Sequence, residues 1–380
     1  MFKGRYIPPQ RQIVLYGDPL EEMLPRALSE LWARQTVLVS AASVAGEGAA
    51  GGRCSAILGE GCTDRLMDIR RDAPAGDVLR IAAALRHKGT EAMVAVGGGS
   101  VAEAAKAARI LLTNNVAGLE DLPRLETSTT TASPRPYMIS VPTTLSGAEY
   151  TPAAGFALPG GGRQIVRHSD LAADIVCLDP TATLETPDAL WFASGLRAVD
   201  HAIETWCASA GSVPLADADA LQGLRLLTEG LRSVRRNRGD LEARQACQLG
   251  AWLAIRGAAM GVPHGPSHAI GRPVIRDSGL PQGVVSAILL PHVLRHTGAE
   301  AAALHAPLSG AMGAPGGSLA DAVAALAQDL GLPATLGAAG ADTSSLDAAA
   351  QEVMTAPELQ TGGRAFPDAA SVLAVLRAAA

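Results

Sequence analysis

The first half of the chain alternates short apolar runs with longer segments of helical spacing. Apolar runs typical of buried strands occupy residues 12–16, 36–40, 92–96, 137–141 and 175–178. Apolar residues at helical spacing occupy 20–33 and 76–88. Strands that alternate with helices predict a parallel, doubly wound α/β sheet, in which ligands bind at the carboxyl ends of the strands. We also expect a glycine-rich loop over 46–52 and a flexible surface loop over 123–136.

The pattern changes near residue 180, after which no convincing strand is found. Helical spacing instead covers 188–209, 215–235, 240–260, 284–297, 318–331, 345–354 and 368–379, with Pro and Gly at the breaks. We therefore expect an α/β domain over 1–180 and an all-α domain over 181–380. The length of 380 residues suits about two domains.

Composition excludes several classes of partner. The formal net charge is −6, from 31 basic and 37 acidic residues, and there is no basic block that would favour nucleic acid or an anionic membrane. Aromatic residues make up only 3%, too few for a base-stacking surface. The apolar runs are too short to span a bilayer, and the N-terminal residues lack an apolar signal segment. The five cysteines show no metal-ligand or disulfide spacing, so we expect a cytoplasmic protein.

A glycine turn follows the strand at 92–96. Gly97, Gly98, Gly99 and Ser100 separate that strand from an Ala-rich helical segment. A strand, a glycine turn and a helix start together present backbone N–H groups and the positive helix end to a phosphate. Ser100 is expected to cap the helix and to donate its hydroxyl. Packing of the helix on the sheet is the alternative reason for three glycines.

Two histidine-bearing segments in the second half carry candidate chemistry. Arg197 and His201 are four residues apart and share a helix face, and His264 and His268 have the same spacing. Paired imidazoles at this spacing are common metal ligands, although each histidine alone is more often a core or capping residue. Asp200 and Glu204 are expected to lie on other faces of the helix, or to reach the site only in part. Arg197 would repel a cation at close range.

Arginines favour an anionic substrate instead of a metal. A guanidinium pairs bidentately with a carboxylate, which suits Arg197, Arg163 and Arg167 as anion contacts. For Arg167 we accept the alternative of an ordinary surface ion pair. For Arg197 the neighbouring His201 favours a functional role.

A family resemblance then follows from motifs along nearly the whole chain. These motifs are residues 97–100 with Lys106, 141–152, 178–180, 194–204, 250–254, 264–268, 287–292 and 330–333. They resemble the iron-containing (group III) alcohol dehydrogenase superfamily, and within it most closely the maleylacetate reductase branch. The resemblance implies a dehydroquinate synthase-like fold, with an N-terminal dinucleotide-binding domain and a C-terminal helical domain. It also implies hydride transfer with a nicotinamide, and an assembly such as a homodimer.

The same resemblance implies cofactor contacts. Residues 97–100 would hold the pyrophosphate of NADH or NADPH, and Thr143, Thr144 and Ser146 would lie near the phosphates and nicotinamide. Ser40 would lie by the adenosine ribose. Many members carry an acidic residue at that place, and its absence here leaves both cofactors open.

The metal ligands of the superfamily are only partly present. Metal-dependent members bind iron or zinc with an Asp and three His, and the resembling positions here are Arg197, His201, His264 and Gln282. We therefore expect no metal. The expected catalytic residues are Arg197, His201, His264, His268 and Arg163. Arg197 would stabilise the developing enolate or alkoxide, with Arg163 as a second anion contact, and His264 or His268 would deliver a proton.

Three hypotheses remain at this point. The first is a metal-independent NAD(P)H reductase of a carboxylate-bearing enone or ketone, with maleylacetate as the leading example of a small anionic substrate. The second is a non-redox descendant, either a lyase or cyclase or a nucleotide-binding protein without turnover. The third is a metal-dependent alcohol dehydrogenase with an altered ligand set.

Overall fold

The chain divides into two compact units, residues 9–186 and residues 187–380. The computed structural model describes residues 11–86, 89–125, 132–208, 213–362 and 366–380, without the side chains of 123–124, 299–300 and 360–362. Part of the loop predicted over 123–136, residues 126–131, lies outside the described residues. The division between the units falls a few residues after the predicted boundary near 180.

The N-terminal unit is built on a parallel sheet. Its strands are β1 (Ile13–Tyr16), β2 (Thr36–Ser40), β3 (Cys62–Leu66), β4 (Ala92–Gly97), β5 (Tyr137–Pro142), β6 (Ala153–Ala157), β7 (Arg163–Arg167) and β8 (Ile175–Leu178). Six of them form one sheet in the order β1-β8-β5-β4-β2-β3, in which every pair is parallel. The remaining two, β6 and β7, form an antiparallel hairpin. The predicted doubly wound α/β class is therefore confirmed.

Four helices accompany this sheet: α1 (Leu20–Glu30), α2 (Ala50–Leu58), α3 (Ala75–Leu85) and α4 (Gly99–Thr113). Every residue of β2 and β4 is buried, as expected for central strands covered on both faces. The glycine turn stands between β4 and α4, at the carboxyl edge of the sheet.

Three strands and one helix of this unit do not follow the prediction. Strand β3 lies at the sheet edge, and its polar centre of Thr63, Asp64 and Arg65 is exposed, so it lacks an apolar run. The hairpin strands β6 and β7 carry Ala, Gly and Arg in place of a continuous apolar run. The loop predicted over 46–52 ends inside α2, whose first turn packs so closely on 44–46 that side chains at 51 and 52 would collide with backbone atoms there.

Among the described residues of the C-terminal unit, all regular elements are helices. Its helices are α5 (Asp188–Cys207), α6 (Pro214–Arg236), α7 (Leu241–Ala259), α8 (Pro266–Ser278), α9 (Gln282–Ala311), α10 (Leu319–Asp329), α11 (Leu346–Val353) and α12 (Ala369–Ala379). A buried apolar cluster joins α8, α9, α11 and α12. Among the described residues, no helix has the length and apolar character needed to cross a bilayer.

Helix α8 was missed by the sequence analysis, and α9 is longer than its predicted span of 284–297. Proline explains both differences. Pro266 begins α8, Pro273 lies inside it, and Pro291 and Pro307 lie inside α9. Proline normally interrupts a helical pattern, but here burial of the apolar faces keeps the helices continuous.

The contact between α5 and α9 gives a test of the helical unit. A Cβ atom built on Gly283, near the start of α9, would collide with the carbonyl oxygen of Ala193 on α5. We expect Gly283→Ala to lower the free energy of unfolding by about 1–3 kcal/mol, because backbone must move to admit the methyl group. Gly298→Ala, farther along α9 with open space around it, should instead raise that free energy by about 0.4–1 kcal/mol. Denaturant unfolding of both variants measures the difference, and equal midpoints would contradict this view of the interface.

Candidate functional site

The glycine turn brings most of the predicted cofactor residues together. Backbone N–H of Thr143 donates to the carbonyl of Gly97 at 3.0 Å, which ties the end of β5 to the turn. A Cβ on Gly98 would lie 3.0 Å from Cγ2 of Thr144, and one on Gly99 would lie 3.0 Å from Oγ of Ser146. The two glycines thus leave room between α4 and the loop after β5 that any side chain would fill.

This arrangement fits the pyrophosphate of a dinucleotide. Helix α4 begins at Gly99 after the N-cap residue Gly98. The backbone N–H groups of Val101 and Ala102 donate to the carbonyl of Gly98, whereas those of Gly99 and Ser100 have no carbonyl partner within the helix. These donors and the positive helix end favour an anion, and the hydroxyls of Thr144 and Ser146 border the same space.

Ser100 does not cap α4, contrary to the prediction, because the chain already turns into the helix at Gly98. Its hydroxyl oxygen accepts instead from the backbone N–H of Asp72 at 3.0 Å, which holds the 70–73 segment beside the turn. Ser40 is fully buried at the end of β2, packs against Gly51, and donates to the carbonyl of Ala41 at 3.4 Å. In this arrangement its hydroxyl is directed inward.

Arg163 lies on β7 of the N-terminal unit, whereas Arg197 belongs to the helical unit. The Arg163 guanidinium donates to Glu103 at 3.0 Å and to the carbonyl of Gly155 at 2.9 Å, and the Arg163 side chain is 35% exposed. A carboxylate therefore already neutralises this arginine. Its assignment as a second anion contact stays a prediction.

In the helical unit, one stripe of α5 carries four ionisable side chains. Arg197, Asp200, His201 and Glu204 follow the i, i+3, i+4, i+7 pattern of a single helix face, and the last three are buried. Sequence analysis expected Asp200 and Glu204 on other faces or only partly directed to the site, and this was wrong. The spacing itself was the available signal, because positions three and four apart are neighbours on a helix.

Glu204 joins α5 to the beginning of α8. Its carboxylate accepts from the backbone N–H groups of Gly265 at 2.8 Å, Ser267 at 2.6 Å and His268 at 3.4 Å. A Cβ on Gly265 would lie 2.8 Å from Oε1 of Glu204, so only glycine allows this approach. Burial raises the pKa of Glu204, while the backbone donors lower it. This contact fixes His264 and His268 beside α5.

The three histidines form a compact buried cluster. Ring centres are 5.4 Å apart for His201 and His264, 5.0 Å for His201 and His268, and 4.1 Å for the stacked pair His264 and His268. Burial is the largest cause that lowers the pKa of all three, and the Arg197 charge contributes to each shift; the pKa of His264 falls to about 4. The rings are therefore neutral near pH 7. Such low pKa values do not favour the expected histidine with a pKa near the working pH, and the proton-donating role of His264 or His268 stays a prediction.

Ser286 links Arg197 to Asp200. Nη1 of Arg197 donates to the Ser286 hydroxyl at 2.8 Å, and that hydroxyl donates to Oδ2 of Asp200 at 2.7 Å. Ser267 donates to the same oxygen at 3.1 Å, and Nη1 of Arg197 lies 3.6 Å from it. Burial, followed by the neighbouring Glu204, raises the pKa of Asp200 to about 8, against the opposing effect of Arg197 and the two hydroxyls. Arg197 itself is only 16% exposed, so it is not an ordinary surface ion pair.

A metal ion is the other occupant to test at this cluster. Ligand atoms of the three histidines lie within 4.8 Å of one another, and Nδ1 of His201 and both ring nitrogens of His268 are buried without hydrogen-bond partners. Each imidazole, however, binds a metal ion through a lone pair in the plane of its ring, at about 2.1 Å. Two imidazoles on one tetrahedral ion therefore have ring centres about 5 Å apart, and the plane of each ring passes through the ion. His264 and His268 are parallel within 4° at 4.1 Å, so they do not share an ion in this arrangement.

Other metal ligands are also engaged elsewhere. Asp200 and Glu204 could form a second group with His268, but their oxygens already accept from hydroxyls and backbone N–H groups. Gln282, at the position of a missing ligand, is exposed at the start of α9. The described side chains therefore do not fit a conventional three-ligand metal centre as they are arranged.

Both units match models of one protein family. Residues 11–180 match the iron-containing alcohol dehydrogenase model, and residues 191–380 match the C-terminal model of the Fe-containing alcohol dehydrogenase family. Dehydrogenase ALT3 of Alternaria alternata is 31% identical, over 75% of this chain and 83% of that protein. Maleylacetate reductase of Rhizobium sp. is also 31% identical, over 75% of this chain and 73% of the relative.

A solved structure shows the same architecture. The crystal structure of maleylacetate reductase from Rhizobium sp. superposes with a TM-score of 0.82 at 25% identity, covering 100% of this chain and 98% of the other. The predicted superfamily and fold are confirmed. The chain belongs to the iron-containing alcohol dehydrogenase family, whose members are NAD(P)-dependent oxidoreductases.

Proposed function

We propose that the protein is a metal-independent NAD(P)H-dependent reductase of a small carboxylate-bearing enone or ketone, with maleylacetate as the leading substrate. The relatives named maleylacetate reductase support the substrate class. The observation that carries the proposal is Arg197, a largely buried guanidinium beside three neutral imidazoles.

The two units supply different parts of the reaction. In the N-terminal unit, the turn from Gly97 to Ser100 binds and orients the dinucleotide through backbone N–H groups. The nicotinamide, when bound, supplies the hydride. In the helical unit, Arg197 stabilises the negative charge that develops on the substrate oxygen, or holds the substrate carboxylate.

The pair with Asp200 fixes the direction of the Arg197 charge. A guanidinium has five N–H donors in a planar fork, and Nη1 is directed to Ser286 and Asp200. This contact removes side-chain freedom before substrate binds, so less entropy is lost on binding. The fixed charge needs no proton to be present, and this distinguishes it from an imidazolium.

The neutral histidines serve as hydrogen-bonding groups. An uncharged imidazole can polarise a substrate oxygen through its N–H without first taking up a proton. His264 and His268 are the candidates for this contact, and His201 packs against both rings.

Cofactor binding can be tested at the glycine turn. We expect Gly99→Ala to raise the dissociation constant for NADH about tenfold or more, because its methyl group would crowd Ser146 and close the space beside α4. Gly76→Ala, in the first turn of α3 with Arg70 Nη2 3.9 Å away as its nearest neighbour, is the matched control. Quenching of protein fluorescence by NADH and by NADPH measures both constants. Unchanged affinity in Gly99→Ala would contradict this placement of the pyrophosphate.

The role of Arg197 can be tested by kinetics. Arg197→Ala should lower kcat/KM for maleylacetate about 10²–10³-fold, the usual loss when one donor to a developing oxyanion is removed. Arg197→Lys should recover only part of the activity, since the ammonium keeps the charge and loses the fork.

Arg256→Ala is the control for this experiment, because Arg256 also pairs with an aspartate, Asp219 at 2.6 Å, in the helical unit. It should leave kcat/KM near the wild-type value, and circular dichroism should show all three variants folded. Normal turnover by folded Arg197→Ala would remove Arg197 from the mechanism.

Metal independence has a direct test. Purified protein should contain iron and zinc far below one ion per chain, and a chelator should leave NADH oxidation with maleylacetate unchanged, because the stacked rings of His264 and His268 do not converge on one ion. Elemental analysis before and after dialysis against EDTA provides the measurement. Stoichiometric metal, with activity lost on chelation and restored by adding the ion, would favour the metal-dependent alternative.

A further inference from the structure

We propose that Glu204 is a positioning residue that fixes the tautomer of His268, with the proton on Nδ1 and the lone pair on Nε2. The kinetic consequence of this inference rests on the proposed function, whereas the tautomer of His268 can be tested without any substrate. Glu204 has no place in the reaction described above.

The first argument is the contact itself. Oε2 of Glu204 touches Nδ1 of His268, and both side chains are buried. Oδ2 of Asp200 lies 3.6 Å from the same nitrogen. The contact with Glu204 favours an N–H on Nδ1, because the ionised form of that carboxylate can only accept hydrogen bonds.

The second argument is that Glu204 is already bound as an acceptor. Its two oxygens accept from the backbone N–H groups of Gly265 and Ser267 at the start of α8. A helix N-terminus stabilises the ionised form of a carboxylate. The same side chain therefore positions α8 and accepts from the Nδ1–H of His268, so the backbone of His268 and its ring are held together.

The third argument concerns the opposite nitrogen. A neutral imidazole has one N–H, so a proton on Nδ1 leaves a lone pair on Nε2. Both ring nitrogens of His268 are buried, and neither has a hydrogen bond of good geometry among the described residues, but only Nδ1 is in contact with the Glu204 carboxylate. His268 is thus a hydrogen-bond acceptor toward a ligand, and the donor role toward the substrate oxygen passes to His264.

Nuclear magnetic resonance can read the tautomer directly. In full-length protein labelled with ¹⁵N-histidine, long-range ¹H–¹⁵N spectra at neutral pH should show His268 protonated at Nδ1, with its signals assigned by their loss in His268→Gln. In Glu204→Gln the amide NH₂ can donate to Nδ1, so the proton should move to Nε2. Glu204→Asp, which keeps a carboxylate, should retain the Nδ1–H form and covers the case in which Glu204→Gln does not fold.

Kinetics then tests the consequence. Glu204→Gln should lower kcat with maleylacetate about 10–100-fold, the usual loss when the partner that orients a functional histidine is removed, while KM for NADH stays within about twofold. Asp240→Asn is the matched control, since Asp240 caps α7 by accepting from the N–H of Ala243 at 3.0 Å. It should change neither the His268 tautomer nor kcat.

Two results would overturn the proposal. One is a wild-type spectrum with His268 protonated at Nε2, which would mean that Glu204 is protonated and donates to Nδ1. The other is a Glu204→Gln enzyme whose tautomer changes while kcat does not. If wild-type protein reduces no carbonyl substrate, the proposed function fails, and the spectra still decide whether Glu204 sets the tautomer.

Discussion

The arrangement of the helical unit depends on the burial of acidic side chains along one face of α5. Moving an isolated carboxylate into a protein interior costs several kcal/mol even after relaxation, and an unpaired one is strongly destabilising. Asp200 and Glu204 meet this cost in different ways. Asp200 is compensated by two serine hydroxyls and Arg197, and Glu204 by the backbone N–H groups that begin α8. The position of α8, and with it the histidine cluster, follows from this second compensation.

Two helices, α4 and α8, begin with backbone N–H groups that can bind an anion, but these groups are used in opposite ways. At the start of α4, glycines keep the helix N-terminus open, so the N–H groups of Gly99 and Ser100 remain available to an incoming anion. At the start of α8, the protein's own Glu204 occupies the equivalent position. One helix end is thus suited to bind a ligand, and the other is suited to rigidity.

Sequence analysis was effective where one local pattern decided the structure. The central strands were predicted because their residues are continuously apolar, and the glycine turn because its residues have one common use. Strand β3 and helix α8 were missed because an edge strand needs no apolar run and because burial can overcome the effect of Pro273. The acidic partners in the site were missed although their spacing on α5 was visible. The neutral state of the histidines was beyond sequence reasoning, since it depends on how completely tertiary packing excludes water.

The parallel stacking of His264 and His268 limits how many protons the cluster can hold. Ring centres 4.1 Å apart leave no room for two imidazolium ions, since the second charge would lie against the first in a medium that screens poorly. Beyond the one N–H proton that each neutral ring already carries, the stacked pair can therefore take up at most one more proton.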